Sequence, residues 1–194
     1  MQTSLTIALT TAIVGAHGGP DAVAGYGTGA RLEYLLIPLV FALGAPMVAL
    51  VGTNIGAGQR ERALRIALIG GALAFAISET VGIAAAIWPA AWLGLFGSDE
   101  RMLATGADYL RVVGPAYGFF GLGPALYFAS QGAGRLAWPL LAGLLRMLLA
   151  VGGGWLAVSL TGSLVWCFAI VALALVTYGV TIVTAIASGA WFRH

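Results

Sequence analysis

Charged side chains make up only 8% of this 194-residue chain, against roughly 25% in an ordinary soluble domain. Lysine is absent, and the nine basic residues are all Arg. Cysteine occurs once, at Cys167, and histidine twice, at His17 and His194. Each shortage excludes something. One cysteine cannot build a disulfide scaffold. Two histidines at opposite ends of the chain, with no Cys/His cluster between them, do not make a metal site. A Ser–His hydrolase dyad would need a histidine at membrane depth, and neither lies there, so an enzyme is not expected. The net charge of +2 includes no basic stripe to grip phosphates, which argues against a nucleic-acid partner. Residues 52–58 are glycine-rich but lack the Lys-Ser/Thr of a phosphate loop. Gly25-Tyr26-Gly27-Thr28-Gly29-Ala30 follows no strand, as a dinucleotide fold would require.

Apolar residues are what the chain has instead. They make up 60% of it, the mean hydropathy is +0.97, and there are 29 glycines. Surface-to-volume scaling leaves a small soluble protein unable to hide so much apolar surface, so the composition indicates an integral membrane protein. Only helices and closed barrels satisfy every backbone group in lipid. The apolar runs, such as residues 142–150 and 168–176, are continuous rather than alternating, which selects helices over barrel strands. With about 20 apolar residues needed per pass, the sequence predicts an all-α, polytopic protein. Its six transmembrane helices fall over residues 2–16, 22–52, 63–88, 107–130, 136–160 and 164–190. The first makes about 22 Å of helix, short of the ~30 Å hydrocarbon core. It lacks the basic start of a signal peptide and reads as the later part of a longer helix. No soluble linker divides the chain, so residues 1–194 read as a single membrane domain.

Arg60, Arg62 and Arg65 fall between spans two and three, Arg135 between four and five, and Arg193 after six. Alternation puts all of them on one side, which the positive-inside rule makes cytoplasmic. The expectation is a multi-pass protein of the inner or plasma membrane with a cytoplasmic C-terminus. The other side carries Asp21, Asp99, Glu100 and Asp108, with Arg101 and Arg111. Two cytoplasmic connections look alike, Gly56-Ala57-Gly58-Gln59-Arg60 and Gly132-Ala133-Gly134-Arg135. They read either as parts of two similar helix hairpins or as independent glycine turns. Pro38, Pro46, Pro115 and Pro124 can bend spans two and four. The pairs Gly25/Gly29, Gly52/Gly56 and Gly114/Gly118 allow helices to approach closely.

Four charges fall deep within spans: Arg31, Glu33, Glu79 and Arg146. Each is costly in lipid and marks either a structural pair or a substrate or ion path. Glu79 and Arg146, near mid-depth on spans three and five, can pair if those helices touch, and the structural role is the expected one. Arg31 and Glu33 point about 200° apart on one helix and cannot share a face. Tyr26, Tyr34, Tyr117 and Tyr127 offer aromatic faces to an organic cation, or anchor and fill the bundle.

Gly25-Tyr26-Gly27, Arg31-Leu32-Glu33 and Val51-Gly52-Thr53-Asn54-Ile55-Gly56-Ala57-Gly58, followed by Arg60 and Arg62-Ala63, form a recognisable series. With Leu95-Phe96, Tyr109-Leu110-Arg111 and Gln131-Gly132-Ala133-Gly134, they make the chain resemble the C-terminal half of a MATE (multidrug and toxic compound extrusion) transporter. The resemblance covers nearly the whole chain. It implies one lobe, family helices seven to twelve, of a transporter with two six-helix lobes around a substrate cavity. Such proteins export organic cations and drugs in exchange for H+ or Na+, with no other cofactor. The implied partners are a small organic cation, membrane lipid, and a missing N-terminal lobe or a second copy of this chain. Span one begins after the stretch where the family often carries a carboxylate. Span four has Phe119, Phe120 and Gly121 where some members carry an acid. Glu33 and Arg31, which match the helix-eight motif, are then the polar site candidates, with Tyr34 and Tyr117 beside them. Other readings stay open at this point: a transport-incompetent fragment, a lipid-linked sugar flippase of the same superfamily, or a structural or pore-forming membrane subunit.

Overall fold

The computed structural model describes residues 2–192. Arg193 and His194, and with them the expected basic residue after the last span, lie outside the described residues, as does Met1. Five helical stretches are long and apolar enough to cross a membrane: Gln2–Gly56, Arg60–Ile87, Glu100–Gly132, Ala137–Thr161 and Leu164–Ala187. The first, α1 (Gln2–Gly56), has 55 residues. Run straight it would reach about 82 Å, far beyond a ~30 Å core. It does not run straight, because Gly19 has φ 77° and ψ −171°, a conformation essentially reserved for glycine. Pro20 follows, its fixed φ suited to the first turn of a new helix. Thr10 and Tyr26, and likewise Thr6 and Glu33, line one small cavity, so the arm of residues 2–18 folds back on the arm of residues 20–56. The bundle therefore has the six passes expected from the sequence.

The remaining elements are α2 (Arg60–Ile87), short α3 (Pro89–Leu93), α4 (Glu100–Val113), α5 (Tyr117–Gly132), α6 (Ala137–Leu148), α7 (Gly154–Thr161) and α8 (Leu164–Ala187). A 3-10 turn at Gly114–Ala116 joins α4 to α5, and a π segment at Leu149–Gly153 joins α6 to α7. Pro115 sits in that 3-10 turn, whereas Pro38, Pro46 and Pro124 lie inside continuous helix. The fourth pass starts earlier than the sequence suggests. Asp99 caps α4, its carboxylate accepting the Met102 N–H at 2.9 Å, so Glu100 and Asp108 are helical rather than loop residues. The last pass ends at Ala187, with Gly189 at φ 78°, three residues before the expected end.

The chain connections gather at two ends. At one, the turns after α1 and α5 meet: Gly52 lies against the Gly132 carbonyl, Trp191 Nε1 donates to Ser130 Oγ at 3.3 Å, and Arg60 stands over the Phe192 ring. At the other, Arg101 pairs with Asp21 at 3.6 Å and Trp92 Nε1 donates to the Thr28 carbonyl at 2.9 Å. This is the segregation of connections that the arginine pattern predicted. The two similar turns are structurally alike. Gly58 and Gly134 both have positive φ. The N–H groups of Gly58 and Gln59 reach back to Ile55 and Asn54 as those of Gly134 and Arg135 reach back to Gln131 and Ser130. Both are Schellman endings, which glycine at this position favours wherever a helix stops.

Seams between helices rest on missing side chains. A Cβ on Gly114 would lie 2.6 Å from the Gly82 carbonyl oxygen, and one on Gly29 would lie 2.6 Å from the Tyr109 ring. Gly19 is different: a Cβ there meets nothing within 4 Å, so its requirement is conformational. Gly19→Ala should therefore cost about 1–3 kcal/mol, read as a lower melting temperature by circular dichroism in micelles. Gly27→Ala, in ordinary helix with equally open surroundings, should be neutral or slightly stabilising. Equal behaviour of the two variants would refute the hinge assignment.

Candidate functional site

Glu33 is a carboxylate inside the bundle, 5% exposed. It belongs to the long arm of α1 and faces inward because it falls in register with buried Tyr26, Ala30 and Leu36, three to four residues apart. Tyr109, on α4, donates its hydroxyl to Glu33 Oε1 at 2.5 Å. Tyr26, Tyr109 and Phe168 close around this pair. The Tyr26 and Tyr109 rings meet edge-on at 5.1 Å between centroids, Tyr109 and Phe168 at 5.3 Å, and Tyr26 stacks on Phe168 at 6.0 Å. The Gly29 gap is what lets the Tyr109 ring reach this depth. A carboxylate in such surroundings needs donors, since an unpaired buried charge is among the costliest groups a fold can carry.

Beside Glu33 lies a cavity of about 20 Å³, whose polar lining is Thr3, Thr6, Thr10, Tyr26, Glu33 and Arg146. That volume suits one water molecule or one small ion. Thr3, Thr6 and Thr10 recur at steps of three and four along the short arm of α1, so their hydroxyls share one face. Thr6 returns its hydrogen to the Gln2 carbonyl, and the buried Thr10 hydroxyl lies beside the Tyr26 hydroxyl. Arg146, also 5% exposed, donates to Thr3 Oγ1 at 3.1 Å and lies over the Tyr178 ring at 5.2 Å. Its charge acts on Glu33, yet the two form no ion pair. The π segment begins three residues after Arg146, and its Ala150 completes the cavity wall.

The expected pairing of Glu79 with Arg146 is not formed. Glu79 on α2 accepts the Gly118 N–H at 2.7 Å, an approach possible because Gly118 has no side chain. Arg146 instead faces the Glu33 cavity. The structure also separates the other candidates. Arg31 is exposed over the Phe96 ring at 5.3 Å, and Tyr34 is 47% exposed. Both point away from Glu33, as the angular argument required for Arg31. Tyr117 is fully buried, its hydroxyl beside that of Tyr109. Sequence reasoning missed Tyr109 as Glu33's donor and the threonine stripe. The stripe was readable, because three hydroxyls at helical spacing in an apolar segment mark one polar face.

A second, larger space of about 700 Å³ opens next to the first. Phe41, Phe120, Tyr127, Phe128, Gln131 and Tyr178 are among its walls, and none of its lining residues is charged. Thr3 lines both spaces. Arg146, which lines the smaller space, contacts Thr3 and the Tyr178 ring of the larger one.

Removing one partner of a buried hydrogen bond leaves the other unsatisfied, at a cost of about 1–3 kcal/mol. Tyr109→Phe should lower stability by that amount in thermal melts, and Arg146→Ala should reduce folded yield. Tyr34→Phe should change neither. A Tyr109→Phe variant as stable as the parent would contradict the Glu33–Tyr109 assignment.

Comparison with known proteins agrees with this architecture. A family model, MatE, matches residues 1–156. The chain is 32% identical over 107 residues to an FAD transporter of Shewanella oneidensis, covering 55% of this chain and 24% of that protein. It is 25% identical over 123 residues to the probable multidrug resistance protein NorM of Thermotoga maritima, covering 63% and 26%. Among solved structures, it overlays on the MATE transporter ClbM in complex with Rb+ with a TM-score of 0.84 at 18% identity, covering 93% of this chain and 42% of that one. An inward-facing multidrug resistance MATE family transporter of the MOP superfamily gives 0.82 at 20% identity, covering 94% and 41%. The chain thus matches about a quarter of its curated relatives' length and two fifths of the solved chains. The sequence match over most of its length and the shared fold together make this chain a member of the MatE family.

Proposed function

We propose that the chain is the C-terminal lobe of a MATE-type secondary antiporter, exporting small organic cations in exchange for H+ or Na+. Such a transporter needs a second lobe beside this one, an N-terminal lobe or a second copy of this chain. The observation that carries this reading is Glu33, held by Tyr109 beside a water-sized cavity lined by Thr3, Thr6 and Thr10. In this reading a cation entering the cavity competes with Arg146 for the carboxylate. Arg146 touches Tyr178 on the wall of the larger groove, so a shift of its guanidinium reaches the substrate space. The aromatic groove suits a planar organic cation, attracted by ring faces. The arginine-bearing end of the bundle is cytoplasmic in this account, and so is the C-terminus.

One observation favours a second cargo. The groove lacks carboxylates, and the Shewanella oneidensis relative is named for FAD, a planar aromatic with negative charge. Ring stacking serves either cargo.

The test is efflux from proteoliposomes containing this chain, with a fluorescent organic cation or FAD inside and an H+ or Na+ gradient imposed. The expected result is gradient-driven efflux of the cation that falls at least about tenfold in Glu33→Gln, with normal insertion. Efflux of FAD alone would transfer the reading to the second cargo. Efflux indifferent to the gradient and to Glu33→Gln would remove Glu33 from the mechanism. Absence of efflux from well-inserted protein would favour a lobe awaiting its partner.

A further inference from the structure

The start of α2 has a feature unrelated to Glu33. Together with the preceding turn it frames an open groove of about 670 Å³, lined by Arg60, Glu61, Arg62, Arg65, Ile66 and Ile69 among others. Three guanidinium groups face one carboxylate there. All three arginines are exposed, and none forms an ion pair among the described residues. Arg60 is engaged by the Phe192 ring at 5.1 Å. Arg62 has only a long contact of 3.4 Å to Gln59 Oε1, and Arg65 has no hydrogen-bond partner among the described residues. The N-cap residue Gln59 accepts no backbone N–H of the first turn of α2 with its side chain, so the positive end of the helix dipole adds to the same potential.

Below the arginines the same helix face turns apolar. Residues 62, 66, 69, 73 and 77 follow at steps of three and four, which places them on one stripe. Ile69 is 55% exposed, Leu73 51% and Ile77 41%. Ile66 is half-buried against the core, and Ile69, Leu73 and Ile77 stay exposed among the described residues. Charge at the top and a strip of aliphatic surface beneath it reproduce, in order, the phosphate and acyl chain of a lipid standing in a leaflet. Basic residues at a membrane edge attract anionic lipid generally. The additional features are the groove, the uncapped helix start and the continuity of the apolar strip with the arginines.

We propose that the start of α2 binds one anionic phospholipid, its phosphate held by Arg62 and Arg65 and one acyl chain laid along Ile66, Ile69 and Leu73. A zwitterionic lipid carries its own cation to the arginines and is disfavoured. Free phosphate engages the arginines without the strip.

Native mass spectrometry of the purified full chain in neutral detergent, with equal dioleoylphosphatidylglycerol and dioleoylphosphatidylcholine, tests this. The expected result is one retained phosphatidylglycerol per chain, preferred by about tenfold. Arg62→Gln/Arg65→Gln should abolish the preference, and Ile69→Asn should weaken retention with the arginines intact. Arg135→Gln, on the other arginine-bearing turn, should leave retention unchanged, and excess inorganic phosphate should not displace the lipid. All these residues are exposed, and thermal shift on adding phosphatidylglycerol gives a second readout on the same variants. Undiminished preference in the double arginine variant would overturn the proposal. Equal loss in Arg135→Gln would reduce the site to a diffuse basic surface, and full displacement by phosphate would make it an anion site without a lipid.

Discussion

A carboxylate buried in a membrane bundle must be surrounded before the bundle can close, and Glu33 imposes that requirement here. Its donor comes from α4, its aromatic enclosure from α1, α4 and α8, and the neighbouring cation from α6. Elements remote in sequence are thus tied to one oxygen-bearing group. The hydrogen bond from Tyr109 is worth about 0.5–1.5 kcal/mol. That is a modest gain, but the alternative is an unsatisfied carboxylate at a depth where water does not compensate.

Two uses of glycine make this enclosure possible. Gly19 lets residues 2–18 turn back and bring the threonine face against Glu33. Close-approach glycines bring the helices near enough to work. Gly29 admits the Tyr109 ring, Gly118 admits the Glu79 carboxylate, and Gly82 and Gly114 let α2 and the start of the α5 region meet backbone to backbone. In lipid there is no hydrophobic drive between helices, so such contacts and interhelical hydrogen bonds supply the association. The high glycine content is therefore a packing requirement of this bundle.

Much of this was legible in the sequence, because hydropathy reports passes directly. The six spans, the reversal between residues 16 and 22, the two matching turns and the segregation of Arg60 and Arg135 from Asp21 all follow from local pattern. The burial of Glu33 and the outward direction of Arg31 follow from helical angle once one of them is known to face inward. What local pattern does not carry is which helix faces which. Glu79 and Arg146 share a depth, and that suggested a pair, but depth does not specify azimuth. Arg146 turned toward the first arm of α1 and Glu79 toward Gly118. Tyr109 stood in a family motif but was not linked to Glu33 for the same reason. The early start of α4 depended on the Asp99 cap, whose signal competed with the acidic residues that resemble a loop.

The cavity beside Glu33 joins a chemical site to a binding surface. Thr3 lines both it and the aromatic groove, and Arg146 in the cavity wall contacts Thr3 and Tyr178. The central claim is that Glu33 is the group that responds to the coupling cation. Infrared difference spectroscopy of the reconstituted chain, recorded on adding H+ or Na+, reads this directly. The account predicts a cation-dependent change in a carboxyl band that is present in the parent and missing in Glu33→Gln. An identical difference spectrum in the two proteins would contradict it.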